Sequence, residues 1–293
     1  MVRLRLLGRL DVERGDGETH PIPLSCAPLV AYLLCHRDGP VDRNQAATVL
    51  WPDRPEHRAK RCLATALWRL RRVSGLEDWL DTGLTNRVRI DPDSAVAVDI
   101  VEFEDALTDF LRQRSDATET QMARALDATT LYLRDAFDQI DAEWIYVERE
   151  RLRQLLVDGL GQLARNFEAR QKTDRMIEIA ERLVRLEPLR EDVHRLLMRG
   201  YLARGARAKA IAQYRICQGE LADALGIEPM AETQSLYQDL VARIDRKRAP
   251  SSSTRSLEIA RAVARRLGHS RKTVDTLGSD LDEALSLLDR LPH

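Results

Sequence analysis

The sequence predicts two folding units, an α+β winged helix over 1–100 and an all-α unit over 101–245, on three observations. A chain of 293 residues exceeds the roughly 100–200 residues of a typical single domain. Period-two and helical patterns alternate up to about residue 100, and only helical periodicity follows. Charge is also segregated. Residues 1–100 carry +1, 101–245 carry −6 and 246–293 carry +4, although the whole chain sums to −1.

In the first unit, residues 2–12 alternate apolar and polar and break at Glu13-Arg14-Gly15-Asp16-Gly17, the pattern of a strand and a turn. A short second strand is predicted near Thr19–Leu24. From Ala27, Leu29, Val30, Leu33 and Leu34 form a helical stripe that Asp38-Gly39-Pro40 ends. Asp42 can cap a second helix carrying Ala46, Val49, Leu50 and Trp51, which Pro52 and Pro55 close. A third helix spans about 56–73, with Leu63, Ala66, Leu67, Leu70 and Val73 on one face. Val88 and Ile90, a turn at Asp91-Pro92-Asp93, and Val96, Val98 and Ile100 then predict a hairpin. Strands, three helices and a hairpin in that order describe a winged helix.

Beyond Val101, breaks near 113–118, 136–141, 171–173, 187–189, 205 and 226–229 separate helices joined by short turns. An offset of 34 residues places Leu163 over Leu197, Phe167 over Tyr201, Ile177 over Ile211 and Ala180 over Tyr214. That is the tetratricopeptide period, although an irregular helical bundle would also match some positions. Residues 246–253, RKRAPSSS, form a basic and then Ser-rich linker, and 254–293 read as a C-terminal helical hairpin.

Several function classes lack residues. No stretch approaches the ~18 apolar residues of a membrane helix, and the N-terminal arginines alternate with apolar residues instead of preceding an apolar run, so a cytoplasmic protein without membrane contact is expected. Cys26, Cys35, Cys62 and Cys217 lack metal spacing and read as small buried side chains; His20, His36, His57, His194, His269 and His293 lie far apart. Phosphate-loop, dinucleotide-binding, zinc-protease and serine-hydrolase motifs are missing, and Asp138, Asp141 and Glu143 surround one interhelical loop where capping is the simpler role. An enzyme, a cofactor and a metal are therefore not indicated.

What stands out is cationic. Arg58, Lys60, Arg61, Arg69, Arg71 and Arg72 lie within 58–72, a segment without an acid. On a helical projection Arg58, Arg61, Thr65, Trp68, Arg69 and Arg72 oppose the leucine stripe. An α-helix fits the major groove of double-stranded DNA, where arginine reads guanine and a threonine methyl meets thymine. Arg61, Thr65 and Arg69 are thus candidates for bases, with Arg58 and Arg72 for the backbone. Trp68 is either a contact on this face or, with a different helix phase, core. Asn86, Arg87 and Arg89 offer donors on the hairpin, where the alternative is a solvated turn. In the tail, Ala264, Gly268 and Val274 have helix-turn-helix spacing with Arg265, Arg266, Arg271 and Lys272 around the turn. This segment is either a second DNA contact or a hairpin packing through Leu277, Leu281, Leu285 and Leu288.

The order of "VRLRLLGRLDV", "LVAYLLCHRDGPVDRNQAATVLWPD", "LATALWRLRR" and "VDIVEFEDAL" resembles the Streptomyces antibiotic regulatory protein family. "WIYVERERLRQ" and the run from Glu187 to Tyr237 are similar to its bacterial transcriptional activator domain. The resemblance covers about 1–245. It implies a winged helix of the response-regulator type with its recognition helix on Arg58–Val73 and its wing on about Thr82–Ile90. It also implies a tetratricopeptide-like activator domain, binding to promoter direct repeats, self-association side by side on DNA, and recruitment of RNA polymerase holoenzyme to a secondary-metabolite or pathway-specific gene cluster. Asn86-Arg87-Val88 stands where family members often carry a Gly-Tyr pair, and 246–293 lies outside the family pattern. The competing function is a helical-repeat adaptor for proteins whose winged helix does not bind DNA.

Overall fold

The structure is a computed structural model that describes residues 2–83, 85–113, 116–242 and 261–263. It divides into two compact units, Met1–Gly226 and Ile227–His293. The first opens with strands β1 (Val2–Arg5), β2 (Asp11–Arg14) and β3 (Thr19–Pro21). The alternating run at the N-terminus is therefore two antiparallel strands where one was predicted, with Leu4 opposite Val12 and Arg5 opposite Asp11. Gly8 turns the chain between them at φ +91°, and a Cβ there would lie 2.7 Å from the backbone nitrogen of Arg134.

A short 3-10 turn (Leu24–Cys26) leads into α1 (Ala27–Cys35), whose Leu29, Val30, Leu33 and Leu34 are buried as their spacing predicts. β4 (Val41–Asp42) precedes α2 (Arg43–Leu50), and the Asp42 carboxylate accepts the backbone N–H of Asn44 at 2.8 Å and of Gln45 at 3.1 Å. Those are two of the donors a helix start leaves open. α3 (Glu56–Leu70) follows, then β5 (Leu80–Asp81), β6 (Arg87–Ile90) and β7 (Val96–Val98).

The hairpin predicted across Asp91-Pro92-Asp93 is not formed. β6 pairs antiparallel with β5 and β4, whereas β7 runs parallel to β1, with Val98 opposite Leu4. Two sheets result, ordered β3-β2-β1-β7 and β4-β6-β5. Alternation marks a strand without naming its partner, and the turn after Ile90 carries the chain from one sheet to the other. Ile100 belongs to a helix, because α4 (Asp99–Gln113) starts directly after β7.

α4 and α5 (Glu119–Leu131) lead into α6 (Glu143–Ala169), α7 (Thr173–Leu186), α8 (Glu191–Ala203) and α9 (Arg207–Leu225). Thr173 and Arg207 open α7 and α9 at an offset of 34 residues. The two turns repeat bond for bond. Lys172 N donates to Phe167 O and Ala206 N to Tyr201 O, while Gln171 and Gly205 both take positive φ, 56° and 74°. Leu163, Leu197, Phe167 and Tyr201 are buried. The 34-residue period thus reflects two stacked helix pairs of the tetratricopeptide kind. Ala142 precedes α6 with no side-chain cap; Asp141 instead accepts the Tyr146 hydroxyl at 2.6 Å, and Glu143 sits in the first turn. Of the cysteines, all free, Cys26 and Cys217 are buried, but Cys35 is exposed and Cys62 half-buried.

Within this unit the N-terminal winged-helix region and the helices that follow share buried polar ties. Asp99 accepts the backbone N–H of Leu6 at 2.7 Å and of Leu7 at 3.0 Å, and Leu133 N donates to Leu7 O at 3.2 Å. Glu104 of α4 is buried between Arg37, 2.8 Å away at the end of α1, and Arg151 of α6. In the second unit a helix covers 231–242, and Gln234 donates to Pro229 O at 2.7 Å. The linker 246–253 and most of 254–293 lie outside the described residues.

Burial pushes the Asp99 carboxyl from 3.8 up to about 6, against the pull of its backbone donors. The unfolded chain then loses this proton first, so the stability Asp99 contributes is full below about pH 4 and is lost as pH rises through about 6. The stability of wild type minus that of Asp99→Asn, from urea denaturation, should fall between about pH 4 and about pH 7 by at most about 3 kcal/mol. A flat difference contradicts the burial.

Candidate nucleic-acid interface

α3 carries one buried and one exposed face. Ala59, Leu63, Ala66, Leu67 and Leu70 are buried, and Cys26 Sγ contacts Ala66 O at 3.6 Å. Burying leucines of this kind is worth roughly 1.5–3 kcal/mol each, so these residues fix the rotation of the helix. Arg58, Lys60, Arg61, Thr65, Trp68, Arg69 and Arg72 are consequently exposed. Trp68 is 59% exposed, which removes the core alternative for it, and the Arg72 guanidinium stands 4.9 Å from its ring centre.

The cations differ in what holds them. Lys60 is paired with Glu56 at 2.5 Å, a carboxylate just outside the acid-free segment 58–72. Among the described residues no carboxylate pairs with Arg58, Arg61, Arg69, Arg71 or Arg72. Arg69 donates to Ser25 Oγ at 3.0 Å, which draws it to the flank beside the 3-10 turn. Thr65 Oγ1 donates back to Arg61 O at 2.9 Å. On the opposite flank Arg71 donates to Thr82 Oγ1 at 3.0 Å and Arg43 to Thr82 O at 3.1 Å. With successive residues about 100° apart, Arg61, Trp68 and Arg72 lie on the outward line between these flanks.

β5 and β6 form the wing hairpin beside α3, where the family resemblance put it. Arg89 is paired with Asp81 across the hairpin at 3.0 Å, and Asn86 donates to Asp42 at 3.0 Å, so two of the three wing candidates hold the wing together. Arg87 is exposed. Between α3, the start of α2 and the wing runs a groove of about 550 Å³ lined by Arg43, Trp68, Arg71, Arg72 and Thr82 among others. The sequence pattern missed Arg43 and Arg71 as site residues. Arg71 was visible in the basic segment, but Arg43 is placed by the pairing of β4 with β6, where Asp42 opposes Arg87. Arg265, Arg266, Arg271 and Lys272 lie outside the described residues.

Residues 98–241 match the family model of the bacterial transcriptional activator domain. The chain therefore resembles transcription regulators of the Streptomyces antibiotic regulatory protein family. Two curated relatives, both called transcriptional regulatory protein MoaR1, come from Mycobacterium tuberculosis and Mycobacterium bovis. Each is 28% identical over 269 residues, 84% of this chain and 84% of the relative. A solved structure of Mycobacterium tuberculosis EmbR, in complex with a low-affinity phosphopeptide, superposes with a TM-score of 0.59 at 20% identity. It matches 83% of this chain, which spans 65% of that one, and the likeness shows the shared fold of winged helix and helical domain. Among the described residues of the regulator no helix is long and apolar enough to cross a membrane, and no group of three His, Cys, Asp or Glu side chains is placed to hold a metal.

If the exposed face of α3 carries no folding role, truncating it leaves stability intact. Trp68→Ala should change the free energy of unfolding by less than about 1 kcal/mol. A loss of several kcal/mol, measured by urea denaturation, would mean that Trp68 is packed.

Proposed function

We propose that the regulator is a cytoplasmic, non-enzymatic, sequence-specific DNA-binding activator that inserts α3 into the major groove and lays its wing along the backbone. The observation that carries this reading is the set of arginines on and just after α3 that have no carboxylate partner among the described residues, turned outward by a buried leucine face. Arginines left unpaired on one surface attract a polyanion, and phosphates supply affinity while base edges supply specificity. Arg61 and Thr65 are assigned to bases. The Thr65 hydroxyl bonds its own helix, which leaves the methyl group for a thymine. Arg43, Arg71, Arg72 and Arg87 are assigned to phosphates, and so are Arg58 and the flanking Arg69.

The activator domain then touches RNA polymerase holoenzyme, and two copies lie side by side on promoter direct repeats upstream of a secondary-metabolite or pathway-specific gene cluster. The family's tandem half-sites, implied by resemblance, support this part. The stacked helix pairs favour a second reading, an adaptor that binds only proteins.

Salt separates the two. Phosphate contacts lower log affinity by ~0.9 per log unit of salt for each phosphate neutralised, whereas an adaptor shows little dependence. With duplexes selected from genomic DNA and fluorescence anisotropy, Arg61→Ala should cost ~1–3 kcal/mol on the specific site and relax one base preference. Arg71→Ala should weaken all duplexes alike and reduce the salt slope by about 1. An Arg61→Ala protein with unchanged affinity and preference contradicts the assignment of that residue.

A further inference from the structure

A cleft of about 870 Å³ lies between the winged helix and the helices α4 and α5. That size falls in the range of small-molecule sites, which are mostly apolar with a few directed polar groups. Its apolar lining includes Leu34, Trp79, Ile90, Val98, Ala106 and Ala128. All but Ile90 are buried.

The charge around it has a definite sign. The three arginines of the lining each already face a carboxylate: Arg3 stands 3.2 Å from Glu102, Arg37 is 2.8 Å from Glu104, and Arg124 is 3.5 Å from Asp109. Asp38, Asp105 and Asp127 also line the cleft, are exposed, and form no ion pair among the described residues. Asp91, the remaining acid of the lining, accepts the backbone N–H of Asp93 at 3.0 Å. The uncommitted charge is therefore negative.

A second, independent feature is the indole of Trp79. The ring is 1% exposed, and among the described residues its buried Nε1–H has no hydrogen-bond partner. A buried donor left unmade is costly, and native proteins rarely keep one without a reason. Trp79 O meanwhile accepts the backbone N–H of Asp91 at 2.9 Å, and β5 starts at the next residue, so this side chain sits at the root of the wing.

We propose that the cleft binds an amphipathic organic cation, an amine that also bears a carbonyl or hydroxyl acceptor. The ammonium faces Asp105 and Asp127 on α4 and α5 with Asp38 opposite. The apolar body lies on Leu34, Ala106 and Ala128, and the acceptor reaches Trp79 Nε1–H through the floor. A ligand there touches both the wing root and the activator domain, and thereby couples its own binding to the α3 surface. The coupling rests on the proposed DNA binding, but occupancy of the cleft does not.

The test uses the full chain without DNA. N-(2-aminoethyl)benzamide and hippurate share a benzamide body and carry opposite charges, so they separate the charge requirement from apolar binding. In ¹H–¹⁵N spectra of the four tryptophan indoles, with Trp79 assigned by Trp79→Phe, the amine should shift the Trp79 resonance saturably and hippurate should not. Asp105→Asn with Asp127→Asn, two exposed positions, should weaken the amine about tenfold while the spectrum stays folded. No shift with the amine, an equal shift with hippurate, or unchanged affinity in the double variant overturns the proposal. Failure of DNA binding alone leaves these readouts untouched.

Discussion

Burial of Leu63, Ala66, Leu67 and Leu70 sets the rotation of α3, and the rest of the site depends on that rotation. A helix with leucines on one side and arginines on the other has a single low-energy way to sit on an apolar bed. Once seated, Arg61 and Arg72 lie on the outward side, with Arg69 and Arg71 bonded to Ser25 and Thr82 on the two flanks. Three nearby acids take other partners: Glu56 holds Lys60, Asp81 holds Arg89, and Asp42 caps α2 and accepts the Asn86 amide. Those three carboxylates therefore leave the arginines of this face unneutralised.

The helical part is tied to this surface through polar groups that leave little freedom. Asp99 closes two backbone donors of the first strand's continuation, and Glu104 lies between Arg37 of the turn after α1 and Arg151 of α6. Breaking a buried ion centre by removing one member leaves the others uncompensated, commonly at about 3–5 kcal/mol. The close approach at Gly8, where a Cβ would meet Arg134, adds a steric tie of the same kind. A contact made by the activator helices therefore has a defined position relative to α3.

Local signals were legible in the sequence. The Asp42 cap, the leucine stripe of α3 and the 34-residue offset each depend on residues a few positions apart or on one repeated unit, and each appears in the structure. Pairings between distant segments were not legible. The N-terminal alternation hid two strands because Gly8 alone marks the turn, and β7 joined β1 where a neighbouring partner was expected. Lys60 looked unpaired because its acid lies before the basic segment, and Arg89 and Asn86 looked free because their partners lie across the wing or on α2. A charge inventory along a chain counts residues, whereas a binding surface is what remains after cross-strand pairs have formed.

Guanine N7 protection from dimethyl sulfate on a selected duplex tests the central claim most directly, because N7 faces the major groove. Protected guanines are expected for the wild type, with loss of that protection at one position in Arg61→Ala. Binding that leaves every guanine N7 reactive would contradict insertion of α3.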